Sequence, residues 1–568
     1  MGRGGSSPPS PTLPQVGSGP LRRRRHDIVS DARIVGAIWL GARGRGINTS
    51  NTYYKSGWYY SPMAFQPPSD LYDRESEWAS LVSWATDPRP GMQVAVIWGR
   101  RRQGKSYLLR RLSNATHGLY YQAVQRTTPQ SLGELGARLG DHLGVGRLAF
   151  RDWDEALSAL AQLGVRHFGG YGGAAYGSAP YGGTTTDLGP AVAVIDEFPY
   201  LRSEAAELPS VIQRAVDRSV DEQGPPVRLI LCGSALSVMT ELLAPRSPLH
   251  GRISMQLLVN PFDHLTAAAF WGIDDPRLAL RVIAVVGGTP AYRDLARSRP
   301  ASLADFDRWI VEGVLDPSSA LFRDDEVLVA EGLEVSNRTI YQSVLSAVAS
   351  GECTQSKIAS AIGRTVNATQ FSLDNLVRAG FLTKDEDAIR QRRPVYSVSD
   401  PLIRFHRAIR DPDAARFEDG QGAAAWRDAD PRFRSAALGP TWEGLVRKHV
   451  RRRAEELFGE PAKDVGRTAV PNQERRVEEE VDVVALGSGS GPKRKVVRCL
   501  GEAKLRELGV GDLIRLEGIA QRIASASVRV AEPCYVLASA SGFSKELIRG
   551  TRARHDVKLV SLDDVYAP

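Results

Sequence analysis

The chain has 568 residues, enough for about three or four domains, and its 42% hydrophobic and 24% charged residues are typical of globular proteins with packed cores. No apolar run approaches the roughly 18–20 residues of a membrane-spanning helix, and the four cysteines, Cys232, Cys353, Cys499 and Cys534, include no closely spaced pair. These features argue against a membrane partner, a disulfide framework and a cysteine zinc site, and they favour a cytoplasmic protein.

The net charge of +8 is concentrated at the start of the chain. Residues 1–60 contain nine basic and two acidic side chains, so they supply +7 of the total and leave +1 for the rest. Because the same stretch is rich in Ser, Pro and Gly, we predict a disordered basic arm over residues 1–67. Such an arm can bind nucleic acid. An arm with no binding role, or a mis-assigned start, is the alternative.

A nucleotide-binding domain is predicted over residues 68–260. An amphipathic helix from Leu71 to about Trp84 is followed by short apolar strands that alternate with helices, which predicts an α/β fold with a parallel sheet. A Gly- and Tyr-rich stretch, Phe168 to Thr186, interrupts the alternation and is predicted to be a mobile surface insertion.

The apolar strand Val94–Ile97 leads into a loop with the pattern G-x-x-x-x-G-K-[ST]. Backbone N–H groups of such a loop wrap the phosphates of ATP, Lys105 reaches the β- and γ-phosphates, and the Ser106 hydroxyl ligates Mg²⁺. The predicted nucleotide-binding residues of this segment are Gly99, Arg100, Arg101, Arg102, Gln103, Gly104, Lys105, Ser106 and Tyr107.

An acidic pair follows the next long apolar strand. Asp196 is predicted to hold Mg²⁺ through water, and Glu197 to orient and deprotonate the attacking water. Ser234, after a further strand, is predicted to sense the γ-phosphate. Arg252 is the candidate for stabilising transition-state charge, within its own subunit or in a neighbour, and an ordinary surface arginine is the alternative.

Four segments carry a family resemblance: Gly99–Ser106, Ile195–Leu201, Cys232–Ala235 and Gly287–Tyr292. Together they resemble the archaeal/prokaryotic ATPase family of the AAA+/STAND-related P-loop proteins, over roughly residues 70–568. The resemblance implies ATP hydrolysis with Mg²⁺, with Lys105, Ser106 and the acidic pair as the ATPase residues. It also implies winged-helix and nuclease-like parts further along the chain. Ser234 stands where the wider superfamily often has Asn.

Residues 261–335 are predicted to form a helical lid, and residues 336–410 a winged helix. The helix from Asn367 to Ala379 could enter a DNA major groove, and a basic hairpin carrying Arg390, Arg392 and Arg393 could contact phosphates. DNA is therefore a candidate partner. A protein-interaction or lid role is the alternative.

A linker is predicted over residues 411–435, and a last domain over residues 436–568. Strand alternation places Glu502 and Lys504 on one face of a predicted strand, and Asp482 lies on the strand expected to pair with it. The two carboxylates could share a Mg²⁺ or Mn²⁺ ion, with Lys504 steadying the attacking water or the developing charge.

This spacing of Asp482, Glu502 and Lys504 resembles the PD-(D/E)XK nuclease superfamily. In that resemblance Glu443 matches the acidic residue of the first core helix, so Glu443, Asp482 and Glu502 are the implied metal ligands. A decayed or binding-only domain, or simply solvated strand charges, is the alternative.

The predicted fold class is therefore α/β, with a P-loop parallel sheet, a helical lid, a winged helix and a C-terminal α/β restriction-endonuclease-like domain. The predicted function is an ATPase whose ATP binding and hydrolysis drive or gate the winged-helix and nuclease-like arm, acting on DNA. The rival class is a non-cleaving regulatory switch that binds DNA or protein. The sequence leaves open whether the chain assembles into a homo-oligomer.

Overall fold

The computed structural model describes residues 65–161, 163, 190–332, 337–390, 393–473, 476–491, 494–525 and 527–567. The predicted basic arm lies outside these residues up to residue 64, and the Gly- and Tyr-rich stretch 168–186 lies wholly outside them. Every helix in the described ranges is too short or too polar to traverse a bilayer.

Five parallel strands form the first sheet, in the spatial order β2-β3-β4-β1-β5. They are β1 (Met92–Trp98), β2 (Leu119–Gln122), β3 (Ala191–Asp196), β4 (Val227–Gly233) and β5 (Ile253–Leu258). Alternate side chains of β1 enter two apolar layers, with Val94 and Val96 in one and Ala95 and Ile97 in the other. A strand covered on both faces requires such a continuous apolar run. The predicted parallel α/β sheet is confirmed.

The helices around this sheet are α1 (Glu75–Ala85), α2 (Lys105–Ala115), α3 (Thr128–Leu143), α4 (Trp153–Ala161), α5 (Phe198–Glu204), α6 (Leu208–Asp221) and α7 (Leu236–Leu243). Helices α1 and α2 contribute buried residues to one apolar layer, and α3, α4, α5 and α6 to the other. Helix α1 begins at Glu75 rather than at the predicted Leu71. The reason is local, because Asp73 has a φ of +48° and Arg74 a φ of −134°.

A helical region follows the sheet, as predicted. Its elements are α8 (His264–Trp271), α9 (Pro276–Val286), α10 (Ala291–Leu295), α11 (Leu303–Trp309), a π-helical turn (Ile310–Val314) and α12 (Asp324–Gly332). Helix α9 ends at its C-cap residue Gly287, which has a φ of +61°, and at the next residue, Gly288, a Cβ atom would lie 1.9 Å from the carbonyl oxygen of Phe262. Only glycine allows these two backbone segments to approach so closely.

Three helices and an antiparallel hairpin occupy the region of the predicted winged helix. They are α13 (Arg338–Ala349), α14 (Gln355–Ala361), α15 (Val366–Arg378), β6 (Leu382–Glu386) and β7 (Pro394–Val398). Buried Leu345, Ile358 and Leu373 join the three helices in one core. The helices and the hairpin occur in the order expected from the sequence, and the winged-helix assignment stays a prediction.

The predicted linker over residues 411–435 is wrong, because the structure makes it helical and buries part of it. The elements from β7 to residue 438 are α16 (Pro401–Phe405), a π-helical turn (His406–Arg410), a 3₁₀ turn (Asp411–Asp413), α17 (Ala414–Glu418), α18 (Gly422–Phe433) and a second π-helical turn (Arg434–Leu438). Trp426 and Phe433 are buried, and the Trp426 indole donates to Asp307 Oδ1 at 2.9 Å. The Asp-, Ala- and Gly-rich composition conceals apolar residues at helical spacing.

The C-terminal part contains a mixed sheet in the order β12-β11-β10-β9-β8. Its elements are α19 (Gly439–Arg452), α20 (Ala454–Phe458), β8 (Asp464–Asn472), β9 (Val477–Leu486), β10 (Lys495–Lys504), α21 (Val510–Ile523), β11 (Val528–Ser539), α22 (Lys545–Thr551), β12 (Val557–Ser561) and α23 (Leu562–Tyr566). Strands β9 and β10 are antiparallel, with Gly501 opposite Val483, so the strand pairing expected from the sequence is confirmed.

Candidate functional site

The G-x-x-x-x-G-K-S loop lies at the carboxyl edge of the parallel sheet, between β1 and α2. Gly99 has a φ of +151°, and a Cβ atom there would lie 2.3 Å from the carbonyl oxygen of Val259. Gly104 has a φ of +89° and immediately precedes the first residue of α2. Both positions therefore require glycine, one for space and one for the left-handed backbone that starts the helix. Backbone N–H groups at such a helix start are unpaired and suit an anion.

Lys105 is the first residue of α2 and is 5% exposed. Its ammonium group donates to the carbonyl oxygen of Arg100 at 2.8 Å, across the loop. Burial lowers the pKa of Lys105, while the nearby charges of Glu197 and Asp196 oppose that effect. The ammonium group therefore lies inside the loop and in the field of the acidic pair. Ser106 follows it, half-buried, and Tyr107 is exposed with its hydroxyl donating to the carbonyl oxygen of Asp70 at 3.3 Å.

The acidic pair lies at the same edge of the sheet. Asp196 ends β3 and is completely buried, and its Oδ1 accepts the backbone N–H of Glu197 at 3.0 Å. Glu197 has a φ of +54°, a conformation that is uncommon for a non-glycine residue and that turns the chain directly into α5. The Ser234 hydroxyl, just after β4, donates to the Glu197 carboxylate at 3.0 Å. Three predicted residues from two adjacent strands therefore meet beside Lys105.

The loop arginines are held by residues far along the chain. Arg100 forms an ion pair with Asp400 at 3.2 Å, and its guanidinium carbon lies 5.5 Å from the centroid of the Phe381 ring. Arg102 forms an ion pair with Asp324 at 2.5 Å. Burial raises the pKa of Asp324 to about 6, an effect that Arg102 opposes. No sequence pattern predicts these partners, because each is separated from the loop by more than two hundred residues.

Arg74 is a further contact that sequence reasoning missed. Its guanidinium donates to the carbonyl oxygens of Asn260, at 2.7 Å, and Gln103, at 3.4 Å. It therefore connects the segment before α1 to the phosphate loop, and Gln103 is itself buried.

Arg252 lies away from the loop of its own chain. It precedes β5, whose first residue Ile253 is level with Val94 in the parallel sheet, so Arg252 is near the amino edge. Gly99 follows Val94 by five positions along the strand direction, which is roughly 16 Å at about 3.3 Å per residue. The Arg252 guanidinium is bound to Asp217 at 2.7 and 3.0 Å. A role for Arg252 at the ATP site of its own subunit is therefore wrong, and the reason is the direction of β5.

The candidate C-terminal residues also come together. Lys504 Nζ lies 2.7 Å from Asp482 Oδ2 and 3.2 Å from Glu502 Oε1, and the backbone N–H of Ala503 donates to Asp482 Oδ2 at 2.9 Å. Asp482 and Glu502 are 4% and 2% exposed, so both carboxylates are desolvated. Burial, and then the charge of Asp482, raises the pKa of Glu443 to about 7. The four predicted residues therefore form one electrostatic cluster.

Two arginines that were not predicted from the sequence complete this carboxylate cluster. Arg515, on α21, forms an ion pair with Glu502, and Arg447, on α19, donates to the carbonyl oxygen of Asp482 at 2.8 Å. Arg447 also lies 3.8 Å from the Glu443 carboxylate. Only Arg447 has a signal in the sequence, because it lies one helical turn after Glu443.

The donor chemistry at the two sites can be compared with what Mg²⁺ requires. This ion keeps several waters and takes one or two protein carboxylates, often with substrate phosphates. Ser106 and Asp196 supply a hydroxyl and a carboxylate at the first site, which fits that requirement. At the second site, Lys504 already pairs with both Asp482 and Glu502, and Arg515 pairs with Glu502. No group of three or more His, Cys, Asp or Glu side chains suited to a metal ion occurs in the described ranges, so the implied ligand set of Glu443, Asp482 and Glu502 is not found there as a metal site.

The tip of the β6–β7 hairpin is docked on the C-terminal sheet. Arg390 and Arg393 both pair with Glu478, at 3.1 and 2.8 Å, and the Thr468 hydroxyl donates to Asp387 at 2.7 Å. Glu478 therefore already pairs with both arginines that were expected to meet DNA phosphates, and a phosphate contact there has to displace these ion pairs. Arg392 lies outside the described residues. Helix α15 keeps an open face, where Phe371 is 61% exposed.

The fold and the first site together define a parallel α/β protein with a phosphate-binding loop motif at the carboxyl edge of its sheet. No family model matches the chain. An uncharacterized protein of Methanocaldococcus jannaschii is 25% identical over 358 residues, which cover 61% of this chain and 70% of that protein.

Two solved structures illustrate the structural likeness. A Walker-type ATPase of Pyrococcus abyssi aligns with a TM-score of 0.44 and 21% identity, over 61% of this chain and 99% of that one. The ORC2 protein of Aeropyrum pernix aligns with a TM-score of 0.36 and 15% identity, over 65% and 99% of the two chains. TM-scores below 0.5 do not establish a shared fold over the aligned length, so the site itself carries the functional argument.

Proposed function

We propose that the chain binds ATP with Mg²⁺ at the loop Gly99–Ser106 and hydrolyses it. The observation that carries this proposal is the convergence of Lys105, Asp196, Glu197 and Ser234 at the loop, at the carboxyl edge of the parallel sheet. Nucleotide phosphates bind at this edge in doubly wound α/β folds, where loop N–H groups and a helix start face them.

Each residue has a distinct role in this proposal. Lys105 exchanges the Arg100 carbonyl for the β- and γ-phosphates, and Ser106 and Asp196 hold Mg²⁺, which neutralises phosphate charge when it is bound. Glu197 orients the attacking water and accepts its proton. Ser234 fixes the Glu197 carboxylate through the 3.0 Å hydrogen bond and leaves its other lone pairs for water.

The same proposal includes a route from the loop to the rest of the chain. Arg100 contacts Phe381 and Asp400, which flank the β6–β7 hairpin, and Arg102 contacts Asp324 at the start of α12. Phosphates bound by the loop compete electrostatically with both carboxylates for these arginines. Nucleotide binding would therefore change the contacts that the loop makes with the helical region and with the hairpin.

Calorimetric titration with ATP and Mg²⁺, together with phosphate release, tests the ATPase proposal. Lys105→Ala should weaken ATP binding by at least about tenfold and abolish turnover, because it removes the cation that faces the phosphates. Lys357→Ala, an exposed lysine on α14, is the matched control and should behave as wild type. Equal ATP affinity in wild type and Lys105→Ala would refute the proposed site.

A second proposed function is metal-dependent cleavage of DNA by the C-terminal part, with DNA held by the open face of α15. The observation in its favour is the desolvation of Asp482 and Glu502 side by side, which is costly without a cation. Lys504 and Arg515 also supply positive charge there, so a non-cleaving regulatory switch is the competing function. A nuclease assay with Mg²⁺ or Mn²⁺ separates the two.

A further inference from the structure

Asp196 has a second hydrogen-bond partner that the roles above do not use. The hydroxyl of Tyr120, on the edge strand β2, donates to Asp196 Oδ2, while Oδ1 accepts the backbone N–H of Glu197. Asp196 has no exposed surface at all. Both oxygens of the carboxylate are therefore oriented by protein donors, one the backbone N–H of the next residue and one a side chain on a neighbouring strand.

The strand register explains why Tyr120 is the residue that reaches Asp196. Strand β2 pairs in parallel with β3, with Tyr120 opposite Val194 and Gln122 opposite Asp196. Because side chains alternate along a strand, Val194 and Asp196 project from the same face, which is the face that α2 covers. Tyr120 therefore approaches Asp196 diagonally, from the α2 side where the phosphate loop lies.

Tyr120 is itself held in place. Arg110, on α2, places its guanidinium carbon 5.3 Å from the centroid of the Tyr120 ring and donates to Gln122 at 2.9 Å. The ring is therefore packed against Arg110 while its hydroxyl donates to Asp196.

We propose that Tyr120 is a positioning residue for the metal carboxylate: its hydroxyl fixes the rotamer of Asp196 so that this carboxylate faces the Mg²⁺ of bound ATP. The inference rests on the proposed ATPase function and adds to it the residue that sets metal affinity. A carboxylate that is already oriented loses less conformational freedom on meeting the hydrated ion, so the hydroxyl should strengthen metal binding.

The adjacent tyrosine provides a matched control. Tyr121 is buried on the opposite face of β2, and its hydroxyl donates to the carbonyl oxygen of Ser131 at 3.4 Å, away from Asp196. Tyr120→Phe and Tyr121→Phe each remove one buried hydroxyl from the same strand. A general loss of stability would affect both variants, whereas an effect on the metal site would affect only Tyr120→Phe.

The test measures ATP hydrolysis and Mg²⁺-dependent ATP affinity by calorimetry as functions of Mg²⁺ concentration, in wild type and both variants. We expect Tyr120→Phe to raise the half-saturating Mg²⁺ concentration about tenfold, within the range seen when a residue orienting a metal ligand is removed. Turnover at saturating Mg²⁺ should stay within about twofold of wild type, and Tyr121→Phe should match wild type throughout.

The possible failures are distinguishable. If wild type binds Mg²⁺–ATP and Tyr120→Phe shows the wild-type Mg²⁺ dependence, the role of Tyr120 is overturned and the ATPase proposal stands. If both variants shift equally, the effect comes from the strand and not from Asp196, and the role is again overturned. If wild type shows no Mg²⁺-dependent nucleotide binding, the proposed function itself fails.

Discussion

The guanidinium carbon of Arg100 lies 5.5 Å from the centroid of the Phe381 ring, so the phosphate loop touches the residue that begins the β6–β7 hairpin. The other end of this hairpin is bonded to the C-terminal sheet through Asp387 and Thr468. The β6–β7 hairpin therefore contacts the phosphate loop at its base and the C-terminal sheet at its tip. We expect changes at the loop to reach the C-terminal part through these contacts.

Asp400→Asn should weaken communication between the loop and the hairpin. Asp400 Oδ1 caps α16 by accepting the backbone N–H of Leu402 at 2.8 Å, and an amide oxygen can keep that bond, while the charge that pairs with Arg100 is lost. We expect ATP affinity to rise about threefold, because Arg100 is released to the phosphates, an effect below about 1 kcal/mol. Hydrogen exchange over residues 381–398 should respond less to ATP than in wild type.

Asp263→Asn is the control for this experiment. Asp263 caps α8 by accepting the backbone N–H of Thr266 at 2.8 Å, and its cap bond is of the same kind as that of Asp400. The Asp263→Asn variant should have the ATP affinity and the ATP-dependent hydrogen exchange of wild type. A full wild-type exchange response in Asp400→Asn would contradict the proposed contact route.

Glu197→Gln should separate ATP binding from ATP hydrolysis. The amide oxygen can still accept the Ser234 hydroxyl, but it cannot take a proton from water. We expect turnover to fall about 100-fold or more, within the usual range for removing a general base, with ATP affinity within about threefold of wild type. Phosphate release and calorimetry measure the two quantities. Glu204→Gln, an exposed change at the last residue of α5, is the control, and undiminished turnover in Glu197→Gln would exclude Glu197 as the base.

The stability of the chain should depend on pH through Asp324. Its pKa is about 6 in the folded chain, against 3.8 for an ordinary aspartate, so between these values the folded state holds a proton that the unfolded state releases. The free energy of unfolding therefore falls as pH rises through this window, by about 3 kcal/mol at about 1.4 kcal/mol per pKa unit, and the loss is complete above pH 6.

Asp324→Asn removes this dependence. Urea unfolding at pH 4.5 and pH 7 should show wild type losing stability relative to Asp324→Asn as the pH rises. Asp419→Asn, an exposed aspartate, should keep the wild-type dependence. A constant stability difference between wild type and Asp324→Asn at both pH values would show that Asp324 does not titrate in this range.

Asp482→Ala and Lys504→Ala should each abolish metal-dependent DNA cleavage if the carboxylate cluster is catalytic. Removing Asp482 deletes a metal ligand, and removing Lys504 deletes the cation that lies 2.7 Å from it. Circular dichroism shows whether each variant is folded, and Glu455→Ala, an exposed change on α20, is the control. Absence of cleavage by wild type across DNA forms and metals, with no Mn²⁺ bound at the cluster, would favour the non-cleaving regulator.

The sequence by itself determined the local units of this protein. The strand, glycine loop and helix around Lys105 are contiguous, and the acidic pair ends its own apolar strand, so period and chain order suffice to place them. The β9–β10 pairing could be predicted because its two strands are close in the chain. These features depend on residues only a few tens of positions apart.

Only the tertiary structure decided which distant residues meet. The direction of β5 places Arg252 at the amino edge of the sheet. The docking of the hairpin tip pairs Arg390 with Glu478, and the register of β2 brings Tyr120 next to Asp196. The Asp-, Ala- and Gly-rich composition of residues 411–435 also suggested a linker, although part of this segment is buried. Such contacts depend on how whole elements pack against each other. The hydrophobic pattern that drives packing does not specify which element packs against which, because one pattern is compatible with many partners. A single sequence therefore identifies the phosphate loop but not the arginine partners that connect it to the rest of the chain.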